Sequence, residues 1–243
     1  MLVIISCADN QTTLKVMAAS SLAEAFNDMA EVFETQNPDI NVQVEFAGSQ
    51  RLRYQLEFGA KADIFASADH HQMEQLLIAD LLNGSTFEFA ANTLVLITSD
   101  SSPVGSITEL AAPGVTVVLA QSNVPAGEYS RQVLQNLSRE HLSFKDEVLS
   151  NLVSEESNVR NVAQKVALGE VDAGIVYRTD VAAARMEGNI TVIKFPEESN
   201  VSARYPIAVL KNSSQKDLAK EFLDFVMSEP GQRILTSRGF RSP

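Results

Sequence analysis

Short apolar runs alternate with amphipathic stretches along most of the chain, which is the pattern of an α/β protein. The apolar runs at 14–19, 42–46 and 63–66 predict strands. Apolar side chains at helical spacing predict a helix after each of these strands. Ser21 and Glu24 match the S-x-x-E pattern of a capping box at the start of the first helix. The first part of the chain therefore predicts a small βαβαβα lobe.

A second series of elements begins near residue 93. Strands are expected at 93–98, 115–120, 174–177 and 190–195, and helices at 126–137 and 158–168. The last amphipathic helix carries its apolar face on Leu218, Phe222, Phe225 and Val226. Because no flexible linker separates the two series, we predict two doubly wound α/β lobes with a cleft between them. Ligands of such folds bind at the carboxyl ends of strands, near helix N-termini.

The first and last parts of the chain are predicted to form one lobe, and the middle part to form the other. Lobe I is expected to comprise residues 12–91 together with 205–243, and lobe II to comprise residues 92–204. Residues 1–11 are then a signal remnant or a tether.

The single cysteine, Cys7, excludes an intramolecular disulfide framework and a C-x-x-C metal site. Residues 4–7 (Ile-Ile-Ser-Cys) match the end of a bacterial lipoprotein signal, in which the cysteine receives the lipid, although the basic part of a complete signal is missing. We therefore expect a lipid anchor at Cys7. The alternatives are an unanchored protein whose first strand begins with this apolar stretch, or a true start upstream of Met1. No apolar run approaches the ~20 residues that span a bilayer.

The charge balance narrows the choice of ligands. The 243 residues include 31 Asp and Glu against 19 Lys and Arg, which gives a net charge of −12. This balance excludes nucleic acid as a partner, because binding the phosphate backbone needs a basic surface. It does not exclude an anion inside a cleft, because net charge describes the outer field.

No common catalytic signature occurs in the sequence, whether G-x-S-x-G, H-E-x-x-H, G-x-G-x-x-G or a P-loop. His70 and His71 are adjacent, so on a helix they diverge and do not share a metal ion. Turn and cap roles are expected for the aspartates at strand ends, which are Asp63, Asp69, Asp172 and Asp180. We predict that the protein is not an enzyme.

Three strand-to-helix turns carry small residues, at 19–21, 47–49 and 124–127. Backbone N–H groups at a helix start lack partners, so each turn offers an anion-binding position without a charged side chain. Ordinary N-capping explains any one of these turns by itself. Together, facing each other from two lobes, they are suited to surround a small oxyanion with N–H and O–H donors.

An ordered series of motifs resembles the molybdate-binding proteins of bacterial ABC importers, which have the type II periplasmic-binding-protein fold. The resemblance runs from about Leu14 to Phe240. The matching segments are AASSLAEAF at 18–26, FAGSQRL at 46–52, QLEFGAKADIFASAD at 55–69, VPAGEY at 124–129, GEVDAGIVYRTD at 169–180 and GF at 239–240.

The resemblance implies a site built from three hydroxyls and two backbone segments. The positions are Ser21, Ser49, Ala126, Val159 and Tyr177. They contact the oxygens of molybdate and are not direct ligands of the metal.

Two of these positions, Ser21 and Ser49, have neighbours that bear on the assignment. Ser21 is preferred to Ser20 because it directly precedes Leu22. The family usually has a small residue after the second serine, where this chain has Gln50 and Arg51. Arg51 either approaches the mouth of the cleft or, as expected of a helix arginine, lies exposed.

The resemblance also implies how the protein is used. The bound ligand is molybdate or tungstate, no cofactor is needed, and the partner is the membrane permease of an ABC importer. The protein is expected to be a periplasmic or otherwise extracytoplasmic monomer, anchored through Cys7. The alternatives are a binding protein for another tetrahedral oxyanion such as sulfate, or a sensor domain of the same fold. Phosphate is disfavoured because no carboxylate is placed to accept its remaining proton.

Overall fold

The computed structural model describes residues 11–139 and 141–243. Cys7 and the predicted tether lie outside these ranges except for Gln11. The first series of elements comprises β1 (Thr12–Ala19), α1 (Ala23–Gln36), β2 (Ile40–Ala47), α2 (Ser49–Glu57), β3 (Ile64–Ala66) and α3 (His70–Ile78). Each strand is thus followed by a helix, as the apolar pattern predicts.

The remaining elements complete both lobes. The second series comprises β4 (Phe87–Ser99), β5 (Val117–Ala120), α4 (Pro125–Leu137), α5 (Phe144–Ser150), β6 (Leu152–Glu156), α6 (Val159–Ala167), β7 (Ala173–Tyr177), α7 (Asp180–Glu187) and β8 (Ile190–Lys194). The chain ends with β9 (Ser202–Val209), α8 (Lys216–Met227) and α9 (Glu229–Ser237). None of the helices in the described ranges is both long and apolar enough to cross a membrane.

Strand β4 is shared by two sheets, one in each lobe. The strand order is β2-β1-β3-β9-β4-β7-β5-β6, and β8 also pairs with β4. The first part of β4 pairs with β9, whereas its second part, from Leu94, lies between β7 and β8. Strand β1 is parallel to β2 and β3, and β5 is parallel to β6 and β7. The predicted architecture of two α/β lobes is confirmed.

The two crossings between the lobes are predicted to lie on β4 and β9, which pair with each other. The lobe limits expected from the sequence fall on these two strands, which face each other with Ala91 opposite Arg204. The limits themselves stay a prediction.

Apolar side chains cover both faces of the first sheet. On one face, α1 and α8 bring together aromatic rings, with Phe33 edge-on to Phe222 at 5.2 Å. On the other face, α2 and α3 bury Leu52 and Met73 against Phe65. Because helices pack on both faces, the strand ends are the part of the sheet left open for a ligand.

The predicted capping box is wrong. Residues 20–22 form a short 3-10 helix before α1, and no side chain caps either helix start in this part of the described chain. The Oγ atom of Ser21 instead lies 3.0 Å from the Oη atom of Tyr205. Glu24 pairs with Arg160 of α6. Both side chains have partners far away in the sequence, so the local pattern is misleading.

Several elements have no clear signal in the sequence, namely α5, β6, α7, β9 and α9. Strand β9 contains Pro206, which is unusual in a strand that pairs on both sides. The register of β4 shifts between Glu88 and Ala90, next to the pairing of Glu88 with Pro206. This bulge accommodates the missing N–H group of the proline.

Candidate functional site

A small cavity lies between the lobes, where parallel strands of both sheets end. Its empty volume, with the open solvent at its mouth included, is about 190 Å³. The cavity is lined by Ala19, Ser20, Ser21, Ala47, Gly48, Ser49, Ala68, Val124, Pro125, Ala126, Val159 and Tyr177. None of these lining residues, all within the described ranges, carries a charged side chain. The five predicted site residues all line this one cavity.

Four helix starts converge on the cavity. Three of them are the starts of α2, of α4 and of the short 3-10 helix at residues 20–22. Within the described residues no side chain caps any of these three. Helix α6 begins with Val159, and the side chain of Asn158 accepts only from the N–H of Asn161, at 3.0 Å. First-turn N–H groups have no intrahelical partner and carry partial positive charge. The cavity wall therefore attracts an anion through backbone dipoles.

Ser49 is positioned as a hydrogen-bond donor to the cavity. It is the first residue of α2 and is 1% exposed. The N–H of Ala68, which follows β3, donates to the Oγ atom of Ser49 at 3.1 Å. A hydroxyl that accepts this bond keeps its own proton for another acceptor. The proton of Ser49 is thus free for a ligand.

Tyr177 ends β7 and presents a buried hydroxyl to the same cavity. The residue is 1% exposed, and its Oη atom has no hydrogen-bond partner among the described residues. Burial raises the pKa of Tyr177 well above its ordinary value, so the phenol stays neutral and able to donate. A buried unsatisfied hydroxyl costs about 1–3 kcal/mol. A bound acceptor would remove this cost.

Two buried carboxyls lie near the cavity but do not line it. Asp69 caps α3 by accepting from the N–H of Gln72 at 2.9 Å, as the sequence predicts. Burial raises the pKa of Asp69 to about 6. Burial likewise raises the pKa of Asp180 to about 6, although Arg160 Nε lies 3.0 Å from its Oδ1. The ion pair with Arg160 is a role of Asp180 that the sequence does not predict.

The other two aspartates tie loops to strands. Asp63 accepts from the N–H of Lys15 at 2.8 Å and from the hydroxyl of Ser213 at 2.6 Å. Asp172 accepts from both the N–H and the hydroxyl of Thr116. Both roles agree with the turn functions expected from the sequence.

Direct contacts around the cavity join the lobes. Gln50 Nε2 of α2 donates to the carbonyl of Ser157, before α6, at 2.9 Å. Gly48 lies so close that an added Cβ would be 2.5 Å from the same carbonyl oxygen. Arg160 of α6 pairs with Glu24 of α1. We call these contacts the cleft rim, and they show that the lobes are closed over the cavity.

The residues after Ser49 have separate roles. Gln50, at the position where the resembled family has a small residue, forms the interlobe hydrogen bond just described. Arg51 is exposed on α2 and does not line the cavity. The exposed position expected for a helix arginine is therefore the observed one.

The structure offers no competing metal site in the part of the chain that it describes. No group of three or more His, Cys, Asp or Glu side chains is placed to hold a metal ion there. His70 pairs instead with Glu88, with Nε2 and Oε1 at 2.7 Å. A wider groove of about 800 Å³ lies near the start of β3, at Lys61 and Ala62, away from the convergent helix starts.

Two α/β lobes that close over a small, uncharged cavity define a solute-binding protein. The chain belongs to the bacterial extracellular solute-binding proteins, whose family model matches residues 14–241. It is 41% identical over 233 residues to the molybdate-binding protein ModA of Mycobacterium tuberculosis, covering 95% of this chain and 85% of that protein. It is 30% identical to ModA of Escherichia coli, covering 93% of this chain and 88% of that protein.

Solved structures share the architecture. The substrate-binding domain of a putative molybdenum ABC transporter from Clostridium difficile is 32% identical, with a TM-score of 0.69 over 95% of this chain and 99% of that one. The periplasmic molybdate-binding protein of Azotobacter vinelandii is 23% identical, with a TM-score of 0.80 over the same shares of the chains. The second likeness establishes the fold. The resemblance noted from the sequence motifs is confirmed.

Proposed function

We propose that this protein captures molybdate outside the cytoplasm and delivers it to the permease of an ABC importer. The observation that carries the proposal is the unpartnered hydroxyl of Tyr177 in an uncharged cavity where helix starts converge. The two relatives described as molybdate-binding proteins support the same ligand. In this proposal the protein acts by binding alone.

The donor set matches a tetrahedral dianion. Molybdate at neutral pH carries two negative charges on four oxygens, and a buried dianion must be hydrogen-bonded throughout. In this proposal the hydroxyls of Ser21, Ser49 and Tyr177 and the backbone N–H groups of Ala126 and Val159 contact these oxygens. Without a cationic side chain in the wall, release to the permease breaks no fixed ion pair.

The same donors distinguish among oxyanions. A hydrogen phosphate ion carries a proton that needs an acceptor, and Asp69 and Asp180 do not line the cavity. Sulfate has the charge and shape of molybdate but is smaller, so cavity size must separate the two. Tungstate is nearly isosteric with molybdate, so we expect the two ions to bind with similar affinity.

Ligand capture is coupled to closure of the lobes. Ser21 and Ser49 come from the first lobe, whereas Ala126, Val159 and Tyr177 come from the second. One anion meets all five only in the closed form, so it shifts the equilibrium toward that form. The closed protein, acting as a monomer, then presents both lobes to the permease.

Attachment to the membrane is the remaining part of the proposal. The segment at 4–7 and its Cys7 fit a lipid attachment site of an extracytoplasmic protein. One relative, 28% identical, is described as a putative substrate-binding lipoprotein of Bacillus subtilis. Expression from an upstream start, followed by mass spectrometry, tests this anchor. Cys7 without lipid in the mature protein would refute it.

Thermal unfolding in the presence of four anions tests the ligand. We expect molybdate and tungstate to raise the melting temperature and sulfate and phosphate to leave it unchanged. A ligand at 100 times its Kd stabilises the folded state by about 2.7 kcal/mol, which is readily measured. Arg51→Ala, which changes an exposed residue outside the cavity, serves as the matched control and keeps the response. Stabilisation by sulfate but not by molybdate would show that the ligand is sulfate and would contradict the proposal.

A further inference from the structure

Tyr205 lies behind the cavity wall and contacts a predicted ligand residue. It belongs to β9, at the junction of the lobes, and is fully buried. Its Oη atom lies 3.0 Å from Ser21 Oγ, a distance at which either hydroxyl can donate. Tyr205 does not line the cavity, so its hydroxyl acts on a ligand through Ser21, while its ring packs edge-on against that of Tyr177 at 5.9 Å and keeps this packing in a phenylalanine variant.

Asn92 stands behind Tyr205 with a fixed orientation. The N–H of Thr93 donates to Asn92 Oδ1 at 2.9 Å, so the oxygen of this amide is identified and Nδ2 is a donor. Nδ2 donates to Thr179 Oγ1 at 2.8 Å and to Tyr205 Oη at 3.5 Å. Asn92 therefore supplies a donor to Tyr205 and links it to a residue of the second lobe.

We propose that Asn92 and Tyr205 are positioning residues that hold the Ser21 hydroxyl as a donor to the bound anion. In this order Asn92 donates to Tyr205, Tyr205 donates to Ser21, and Ser21 donates to the ligand. The inference deepens the proposed function and rests on it, since the acceptor at the end of the series is the oxyanion.

Three physical features favour this order. A dianion in the cavity accepts the hydrogen bond of the Ser21 hydroxyl, so the bond between Ser21 and Tyr205 requires the phenol to donate. Burial raises the pKa of Tyr205 above its ordinary value, so the phenol keeps its proton. Consecutive hydrogen bonds polarise one another in a low-dielectric interior, which strengthens the last donor. Tyr205 thus supports a ligand that it does not touch.

A double-mutant cycle on the full chain tests the inference. Molybdate affinity is measured by calorimetry for the wild type, Tyr205→Phe, Ser21→Ala and the double variant. We expect Tyr205→Phe to raise the Kd about three- to tenfold when Ser21 is present, the usual effect of one hydrogen bond. When Ser21 is replaced by alanine, the same change should alter the Kd less than about twofold.

Controls separate positioning from folding. Tyr54→Phe removes a hydroxyl from a half-exposed tyrosine on α2 and should leave the Kd unchanged. Asn92→Ala removes the first donor without touching the ring packing of Tyr205, so it gives a second cycle with Ser21→Ala even where Tyr205→Phe folds poorly. The loss of molybdate affinity caused by Asn92→Ala should also disappear when Ser21 is replaced by alanine.

The outcomes distinguish this inference from the proposed function. An equal loss in both Ser21 backgrounds, or no loss in either, would overturn the positioning role while the wild type still binds molybdate. A wild type that does not bind molybdate would overturn the proposed function, and this inference with it.

Discussion

The wall of the cavity and the cleft rim hold different kinds of side chain. The wall is uncharged and presents hydroxyls and helix N–H groups, among them the unpartnered hydroxyl of Tyr177. The rim, a few residues away, contains the pair between Arg160 and Glu24 and the hydrogen bond from Gln50 to Ser157. We infer that the two regions have separate roles. The dipoles of the wall recognise the ligand, and the charged and amide groups of the rim hold the lobes together.

The largest effect is expected from a change that prevents closure while keeping the hydroxyls of Ser21, Ser49 and Tyr177. Gly48→Ala places a Cβ 2.5 Å from the carbonyl oxygen of Ser157, on the opposite lobe, and 2.5 Å from Oε1 of Gln50, so the interlobe hydrogen bond of Gln50 is displaced as well. Overpacking of this kind costs about 1–3 kcal/mol, which corresponds to a Kd raised up to about 100-fold. Calorimetry measures the Kd, and X-ray scattering with molybdate should show a less compact protein than the wild type.

Gly105→Ala is the matched control for this variant. A Cβ at Gly105 would meet only Glu109 Oε2, at an ordinary contact distance of 3.6 Å. We expect wild-type affinity for it. Wild-type affinity for Gly48→Ala as well would mean that binding does not need the closed rim.

The next effect is expected from the wall. Tyr177→Phe removes the only hydroxyl that the end of β7 brings to the cavity, so we expect the Kd for molybdate to rise about 30-fold, or about 2 kcal/mol. The free energy of unfolding without ligand should stay the same or increase, because the lost hydroxyl has no partner among the described residues. Chemical denaturation and calorimetry measure the two quantities. A variant that loses stability and keeps its affinity would contradict the assignment of Tyr177 to the ligand.

A smaller effect on binding is expected from the charged part of the rim. Arg160→Met removes the pair with Glu24 and leaves Asp180, which is fully buried, without its cation. Stability should fall by about 3 kcal/mol, the cost of an unpaired buried charge, whereas the Kd should rise only about fivefold. Adding Asp180→Asn should recover part of the stability and none of the affinity. Recovery of affinity in the double variant would show that Asp180 acts on the ligand.

The smallest effect on binding is expected at Asp69, where the change appears in the pH dependence of stability. Its folded-state pKa is about 6, above the ordinary value of 3.8. The unfolded chain therefore releases this proton first, and stability decreases as the pH rises from about 4 to 6. Asp69→Asn keeps an oxygen to cap Gln72 and removes this decrease.

The difference in unfolding free energy between Asp69→Asn and the wild type measures this contribution. It should grow by up to about 3 kcal/mol between pH 4 and 6 and then level off, since each pKa unit corresponds to about 1.4 kcal/mol. Denaturation at several pH values provides the curve. A difference that does not change with pH would show that Asp69 titrates normally in the folded protein.

The wall was more predictable from the sequence than the rim, because its signals are local. Small residues between a strand and a helix mark the turns at Ser49 and Ala126. Parallel strands of one sheet end at the same edge, so the turns after β1 and β2 lie together in the first lobe. The turn after β5 belongs to the other sheet and meets them because the lobes face each other.

The rim depends on contacts between distant parts of the chain. Gln50 and Ser157 are 107 positions apart, and Arg160 and Glu24 are 136 positions apart. The S-x-x-E pattern wrongly predicts a cap at Ser21, because the partner of Ser21, Tyr205, lies 184 positions away. No pattern of neighbouring residues encodes such contacts, although the departure from the family motif at Gln50 was a signal that this position differs.

The most direct test of the account is to locate the metal in crystals grown with molybdate, by anomalous X-ray scattering from molybdenum. We predict a single strong peak within the cavity, with its oxygens at hydrogen-bond distance from the hydroxyls of Ser49 and Tyr177 and no cationic side chain in contact. A peak outside the cavity, an ion held by Arg51 or Arg160, or an empty cavity at saturating molybdate would contradict recognition by neutral dipoles.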